Sequence, residues 1–330
     1  MTKETTHRGL FPAARIGDPV THDLASPAGM IGPPLKPPTD APVLIEGLPA
    51  AHVECTAVCT GSTSAGLAHP PPGAGAPPVP LLVGSPTVMI HGRPAARWAP
   101  SGDLAGCGTF LGDPKLAPLR TVHIGGPVLP SSMPFARRDN GDIQLGRSIT
   151  IIGDEQFKIL VLNRLMKIAS TSSGKTLLAQ LEATGKHVSI AETAAENSYA
   201  TPRSSRDATP AGRPVFDGEG KPVLDVHGDQ RRGTGLGTDV TVELNPRYRT
   251  KNPLDPANPM PNDAVLFHEL THAKHDMLGT GDCTPKGNHW TTEEEYNTIR
   301  GDSPSEADYL REREYKWRRT SHHGDFEPVP

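Results

Sequence analysis

The feature that most constrains this chain is a proline-rich segment that repeats itself. Residues 43–51 (VLIEGLPAA) return as residues 88–96 (VMIHGRPAA), and partial copies occur at residues 12–18 (PAARIGD) and 121–126 (TVHIGG). Twenty-two of the 36 prolines lie in residues 1–130. Because proline lacks a backbone N–H, long helices and central strands are disfavoured there. Each copy predicts a short strand, a glycine turn and a Pro-Ala-Ala segment, and units this small need one another, or a metal, to form a stable core.

Histidine and cysteine residues lie in the turn regions between the repeats. Four of them could converge from separate loops: His22, Cys59, His69 and Cys107. A closed site of four such ligands is typical of structural zinc. The alternative is that these are ordinary loop residues without a metal, and their spacing alone does not separate the two interpretations.

Residues 268–272 (HELTH) form an HExxH sequence within a predicted helix. Residues four apart share one helix face, so His268 and His272 can bind one Zn²⁺ while Glu269 takes a proton from water. Residues 261–263 supply a helix start signal and Gly279 a stop signal. The competing interpretation is an ordinary solvated helix face that carries two histidines.

A catalytic zinc site needs a third protein ligand. The acidic cluster Glu293, Glu294 and Glu295 begins the next predicted helix, over residues 291–299, and Glu306 follows it. Such a cluster can also be a solvated turn that compensates the helix dipole. An oxyanion donor is expected from the C-terminal tail. Tyr309 is the preferred candidate, because residues 305–311 predict a helix that could fold back on the site; the alternatives are Arg311, Arg313, Tyr315, His322 and His323.

Composition limits the other possibilities. The chain has 330 residues, enough for two domains, and a net charge of −4, which favours neither nucleic acid nor an anionic membrane surface as partner. No apolar run approaches the ~20 residues of a membrane helix. The first residues lack the apolar core of a signal peptide. We therefore expect synthesis in the cytoplasm, followed by retention there or by export without a cleaved signal.

The change in composition along the chain predicts a β-rich domain over residues 1–130, a linker over 131–148 and an α+β domain over 149–330. Within the last, residues 192–237 are predicted to be mobile loops. Residues 239–245 alternate as a strand, which is either a sheet edge that pairs with an extended substrate or an interior strand under the HExxH helix. Residues 172–176 (SSGKT) do not form a phosphate-binding loop, because position 169 is alanine where that motif needs glycine.

The N-terminal segment resembles PAAR-repeat proteins, with its two PAAR sequences (residues 12–15 and 94–97), its V-x-I-x-G strands, HPPP at 69–72 and Cys107-Gly. That resemblance implies a β-rich cone that caps the spike trimer (VgrG-like) of a type VI secretion system, with zinc on three histidines and one cysteine. By position the ligands are His22, His69 and Cys107, with Cys59 nearest the fourth place, where the family has histidine. His52 is the substitute for that place.

The C-terminal segment resembles clostridial neurotoxin light chains, through HELxHA at residue 268 and EExxT at residues 294–298. This resemblance implies a zincin-like metallopeptidase in which Glu295 is the third zinc ligand and Glu294 supports the site. The spacing between the motifs is shorter here, so Glu294 or Glu306 are alternatives for the ligand.

These inferences predict a secreted toxin with one catalytic and one structural zinc. Its C-terminal domain would be an endopeptidase that cleaves protein in a target cell, with a cognate immunity protein as a further partner. One alternative keeps the delivery but makes peptidoglycan the substrate. Another makes the C-terminal domain a catalytically inactive extension of the spike.

Overall fold

A computed structural model describes residues 10–21, 27–59, 79–99, 119–126, 128, 135–138, 140–248, 250–287, 289–321 and 325–329, without the side chains of residues 21, 27, 28, 58, 59, 79 and 135–137. The chain divides into two compact units. The first comprises residues 1–143 and 154–167, and the second residues 144–153 and 168–330. Within the described ranges, no helix combines the length and apolar character that crossing a bilayer requires.

Among the described residues, the N-terminal unit contains short strands and most of a helix. Its elements are β1 (Phe11–Pro12), β2 (Pro19–Thr21), β3 (Pro27–Pro34), β4 (Leu44–Ile45), β5 (Leu48–Pro49), β6 (Cys55–Cys59), β7 (Val79–Pro80), β8 (Met89–Ile90), β9 (Arg93–Pro94), β10 (His123–Ile124), β11 (Phe135–Arg137) and α1 (Glu155–Ala169). Strands β2, β3, β6 and β7 form one antiparallel sheet, in the order β2-β3-β6-β7.

The two full repeats fold as two equivalent hairpins, β4–β5 and β8–β9. Both turns place two residues in the left-handed region, Glu46 and Gly47 (φ 51° and 82°) and His91 and Gly92 (φ 51° and 72°), as two-residue type I′ turns require. The partial copies pair with each other through β1 and β10. The strand and turn units predicted from the repeat are therefore present.

The Pro-Ala-Ala segments of the three copies close a ring of backbone hydrogen bonds. The amide of Ala14 donates to Ala96 (3.0 Å), that of Ala96 to Ala51 (3.0 Å), and that of Ala51 to Ala14 (2.9 Å). All three alanines are fully buried. Only a small side chain fits where three backbones approach this closely, which explains why the repeat retains alanine at this position. The ring relates these three segments by approximate threefold symmetry.

The C-terminal unit contains the remaining elements. These are β12 (Ile143–Leu145), which begins at the boundary, β13 (Ile149–Ile152), α2 (Ser172–Ala183), β14 (Val188–Glu192), β15 (Tyr199–Pro202), α3 (Ser205–Ala208), β16 (Val240–Leu244), α4 (Asn262–Leu278), β17 (Pro285–Gly287), β18 (Trp290–Thr292), α5 (Glu293–Tyr296), a π-helical turn (Asn297–Gly301), α6 (Glu306–Glu312), β19 (Trp317–Arg319) and β20 (Phe326–Pro328). Because β11 and β12 are strands, the predicted linker over residues 131–148 contains regular structure.

Parallel strands β13, β14 and β16 carry antiparallel β15 on the outer side of β16. Strand β16 is thus interior, and the interpretation of residues 239–245 as a sheet edge is wrong. Its buried residues Val240, Val242 and Leu244 alternate with more exposed ones. Helix α4 packs on β15 and β16, so the sheet positions the HExxH sequence.

Residues 192–237 contain more regular structure than predicted. Strand β15, helix α3 and three bridged pairs, the first between Pro214 and Arg232, lie within them. The end of this segment packs against the C-terminus of α4, where Gly279 caps the helix with φ 70°. A Cβ atom on Gly237 would lie 2.0 Å from the carbonyl oxygen of Met277, so the close approach requires glycine.

Candidate metal centre

Helix α4 and the first turn of α5 bring three metal-binding side chains together. The Nε2 atoms of His268 and His272 lie 3.0 Å apart. Glu295 Oε1 is 3.4 Å from Nε2 of His272, and Glu295 Oε2 is 3.6 Å from Nε2 of His268. Thr292 fixes the start of α5, because its hydroxyl accepts a hydrogen bond from the Glu295 amide.

The distances and donor types fit zinc. Tetrahedral zinc with ligand bonds of roughly 2.0–2.1 Å separates its ligand atoms by roughly 3.3 Å, which the three observed separations bracket. Ligand atoms of all three residues lie within 4.8 Å of one another. Two imidazoles and one carboxylate form a set typical of catalytic zinc, since three protein ligands leave a position for water or substrate.

Glu294 contacts the Nδ1 side of the His272 ring, away from the Nε2 atom that would bind the metal. Its Oε1 atom lies 3.0 Å from Nδ1 of His272, and its Oε2 atom accepts a hydrogen bond from the Asp282 amide. A carboxylate at Nδ1 places the ring proton there and leaves the Nε2 lone pair for a metal. Burial alone would lower the pKa of His272, but Glu295 and Glu294 outweigh it and raise the pKa well above its usual value.

Glu306 holds His268 in the same way. Its Oε2 atom is 3.0 Å from Nδ1 of His268, and its carboxylate also accepts hydrogen bonds from Nε and Nη2 of Arg319 at 2.8 and 2.5 Å. Burial alone would raise the pKa of Glu306, but Arg319 and His268 lower it to about 2. Glu306 therefore lies on the far side of the His268 ring from Nε2, where it cannot serve as the third ligand.

Glu269 is 6% exposed and lies on α4 beside both histidines. Burial raises the pKa of its carboxyl, and the two histidines oppose this change. A raised pKa makes the carboxylate a stronger base, as proton transfer from water requires.

Tyr309 does not join the metal-binding residues. Its hydroxyl donates a hydrogen bond to Asp263 Oδ2 at 2.5 Å, and its ring stacks on Phe267 with centroids 4.4 Å apart. The side chain is fully buried, and burial together with Asp263 raises its pKa. Because the proton is already donated to Asp263, the predicted oxyanion role of Tyr309 is corrected: it holds the start of α4.

The other candidate oxyanion donors have partners elsewhere. The side chains of Arg311, Arg313 and Tyr315 bond to Asp308, Asp263 and the Asn258 carbonyl respectively, and His322 and His323 lie outside the described residues.

The predicted N-terminal zinc site stays a prediction. His22, His69 and Cys107 lie outside the described residues, as does the side chain of Cys59. The substitute ligand His52 is buried, with Nδ1 2.6 Å from the Val53 carbonyl oxygen.

Sequence reasoning missed two contributors to the C-terminal site. No sequence pattern indicates Arg319, because it contacts His268 from a position 51 residues further along the chain. His275, which bonds to Glu294, did give one: it follows His272 by three residues and so lies on a neighbouring part of the same helix face.

A two-histidine, one-carboxylate ligand set beside a buried carboxylate base defines a metal-dependent hydrolase centre. The model of the peptidase family M91, described as an effector protein, matches residues 146–315. The chain belongs to this family. Family and ligand set together make the C-terminal unit a metallopeptidase.

Two solved structures show distant similarity. The catalytic domain of Clostridium botulinum neurotoxin serotype F is 14% identical, with 49% of this chain and 57% of that chain covered and a TM-score of 0.31. The light chain of botulinum neurotoxin serotype HA is 15% identical, with 58% and 66% covered and a TM-score of 0.30. This chain thus spans just over half of the first structure, and likeness at this level does not define a shared substrate. No curated protein matches the chain.

Proposed function

We propose that the C-terminal unit is a zinc endopeptidase that cleaves protein in a target cell. The observation that carries this proposal is the convergence of His268, His272 and Glu295 beside the buried Glu269. Zinc held by the first three residues would supply a Lewis acid that activates water and polarises the scissile carbonyl.

The residues of the chain provide the proton transfers and the alignment. The Glu269 carboxylate accepts a proton from the attacking water and returns it to the leaving amine nitrogen. Glu294 lies against Nδ1 of His272 and Glu306 lies against Nδ1 of His268, so that both Nε2 atoms face the same point. All of these groups are largely removed from solvent, which strengthens each charge interaction.

An extended substrate fits best along β15. This strand packs against α4 and is the last strand of its sheet among the described residues, so its outer backbone edge can pair with a peptide in β conformation. Pairing with an extended substrate, one of the two alternatives for residues 239–245, is thus proposed for the neighbouring strand instead.

The test compares Glu295→Gln with Glu293→Gln in the full chain. Both glutamates begin α5, but Glu293 is half-exposed and pairs with Lys286 at 2.7 Å. We expect Glu295→Gln to lose C-terminal zinc and peptide cleavage, while Glu293→Gln keeps both. Equal zinc binding and cleavage in the two variants would refute the ligand assignment.

The substrate class is tested by expression in two compartments. A protease of cytoplasmic targets harms cells when residues 1–330 are made in the cytoplasm, and Glu269→Gln removes the harm. A peptidoglycan hydrolase harms cells only from the periplasm. An inactive spike extension harms cells from neither compartment and binds no zinc at His268 and His272.

We further propose that the N-terminal unit docks on a trimeric secretion spike, through which the peptidase enters the target cell. Its approximate threefold symmetry supports this partner, because a threefold surface needs three equivalent contacts. Apolar side chains are exposed in or next to each of the three strand pairs β1–β10, β4–β5 and β8–β9, at Leu10, Val122, Leu44, Leu48 and Met89. Apolar side chains that are exposed close together on a surface favour binding of a partner protein.

The docking proposal is tested by co-purification with a spike trimer. The double variant Leu44→Asp and Met89→Asp should abolish co-purification, whereas Leu236→Asp, at a site of similar exposure (71%) in the C-terminal unit, should not. Retained binding by the double variant would refute this surface.

A further inference from the structure

His275 lies one turn beyond His272 on α4, and the proposed mechanism gives it no role. It is 5% exposed. Its Nδ1 atom is 2.5 Å from Glu294 Oε1, and its Nε2 atom is 2.8 Å from Asp302 Oδ2. The buried imidazole of His275 thus bridges two carboxylates, one of which also contacts the proposed metal ligand His272. This arrangement suggests a role at the metal centre.

Both partners of His275 are carboxylates, which only accept hydrogen bonds when ionised. Both ring nitrogens must therefore carry protons. Burial alone would lower the pKa of His275, but Glu294 and Asp302 raise it, and hydrogen bonding to His275 is the largest influence that lowers the pKa of Asp302. The cluster is completed by Lys274, whose Nζ lies 2.6 Å from Asp302 Oδ2. Two cations and two carboxylates thus balance each other.

One oxygen of Glu294 lies within hydrogen-bond distance of both the His272 and the His275 imidazole. Oε1 is 2.5 Å from His275 and 3.0 Å from His272, while Oε2 is held by the Asp282 amide. The hydroxyl of Thr298 reaches the same Oε1 at 3.3 Å. The carboxylate is therefore fixed at both ends. Without His275, the oxygen that orients the His272 ring would lose its shortest contact.

We propose that His275 and Asp302 are positioning residues of the metal centre: Asp302 fixes the His275 ring, His275 fixes Glu294 Oε1, and this oxygen orients His272 towards the metal. The inference rests on the proposed zinc function. It adds two residues to the contacts that orient His272. These contacts then extend from α4 to Asp302, directly after the π-helical turn.

Zinc affinity of the full chain, measured by competition with a chromophoric chelator, is the primary test. Loss of partners behind a metal ligand typically weakens binding by about 10–100-fold, and we expect about 10-fold for His275→Ala. His275→Asn keeps an amide donor near the Nδ1 position and should recover most of the affinity. Asp302→Asn, at a half-exposed residue, should show an intermediate loss. Glu182→Gln, which removes a carboxylate that accepts from Ser148 at the end of the sheet, is the matched control without effect.

Two further readouts separate positioning from general destabilisation. If His275 acts through Glu294, then His275→Ala combined with Glu294→Gln should bind zinc no more weakly than Glu294→Gln alone. In peptide cleavage, kcat should fall while KM stays within about twofold, because no substrate contact is lost.

The inference is overturned if His275→Ala binds zinc within twofold of the unmodified chain, or if the two substitutions are additive. If the unmodified chain binds no zinc at the C-terminal site, the proposed function fails, and the inference fails with it. If the unmodified chain binds and cleaves but His275→Ala is unchanged, only the inference fails.

Discussion

Replacing Arg319 with methionine should destabilise the C-terminal unit strongly at neutral pH. Arg319 is 7% exposed and forms two hydrogen bonds to Glu306, which is fully buried. Methionine retains much of the aliphatic length but removes the charge, so a buried carboxylate loses its partner. Removing one partner of a buried ion pair costs about 3–5 kcal/mol.

The pKa of Glu306 gives a second route to this magnitude. The structure lowers it from an ordinary value of 4.5 to about 2. With about 1.4 kcal/mol for each pH unit, this corresponds to roughly 3–4 kcal/mol, which Arg319 and His268 contribute together against the cost of burial. Because the folded-state pKa is lowered, the contribution is fully present above pH 4.5 and is lost as the pH falls from 4.5 towards 2. In Arg319→Met, the stability difference from the unmodified chain should therefore be largest at neutral pH and shrink over that acid window.

The assay is urea denaturation of the full chain with a chelator present, so that no bound metal adds to stability. Hydrogen exchange of the amides in α4 reports unfolding of the C-terminal unit specifically. The double variant Arg319→Met and Glu306→Gln serves as control, and it should recover part of the loss because no unpaired charge remains. A loss below about 1 kcal/mol in the single variant, with an unchanged acid profile, would refute the reasoning.

Three other predictions concern the base, the backbone and the metal. Glu269→Gln should lower kcat for peptide cleavage by about 10²–10⁴-fold and leave zinc affinity unchanged by chelator competition; lost affinity would contradict its role as base. Gly237→Ala should lower stability by on the order of 3 kcal/mol, because its Cβ would meet Met277. Gly212→Ala, also at positive φ but with nothing within 4 Å, should cost only about 1 kcal/mol; equal melting temperatures for the two would contradict this. A chelator should lower the melting temperature of the unmodified C-terminal unit but not that of His268→Ala.

Local signals predicted the helices of the site well. Helix α4 ends at Gly279 as predicted, because only a residue that tolerates the left-handed conformation can end a helix in this way. Helix α6 begins after Ser305, whose side chain and that of Asp308 form a capping box. The repeat in the N-terminal unit likewise predicted its hairpins, since each turn is encoded by two adjacent residues.

Contacts between distant segments could not be read from the sequence. Whether β16 is interior depends on the position of β15, and the sequence does not state strand order. The sequence allows Glu306 as a metal ligand, but its position at Nδ1 of His268 depends on Arg319, which follows it by 13 residues and bonds to it in the interior. The predicted helix over residues 305–311 favours Tyr309 as the oxyanion donor, but the hydroxyl of Tyr309 faces Asp263.

The central claim is that His268, His272 and Glu295 hold one zinc ion. Anomalous diffraction at the zinc absorption edge, from crystals of the full chain grown with zinc, tests it most directly. A peak is expected about 2.0–2.2 Å from both Nε2 atoms and from a Glu295 oxygen. A zinc-loaded crystal without a peak between these three side chains would contradict it.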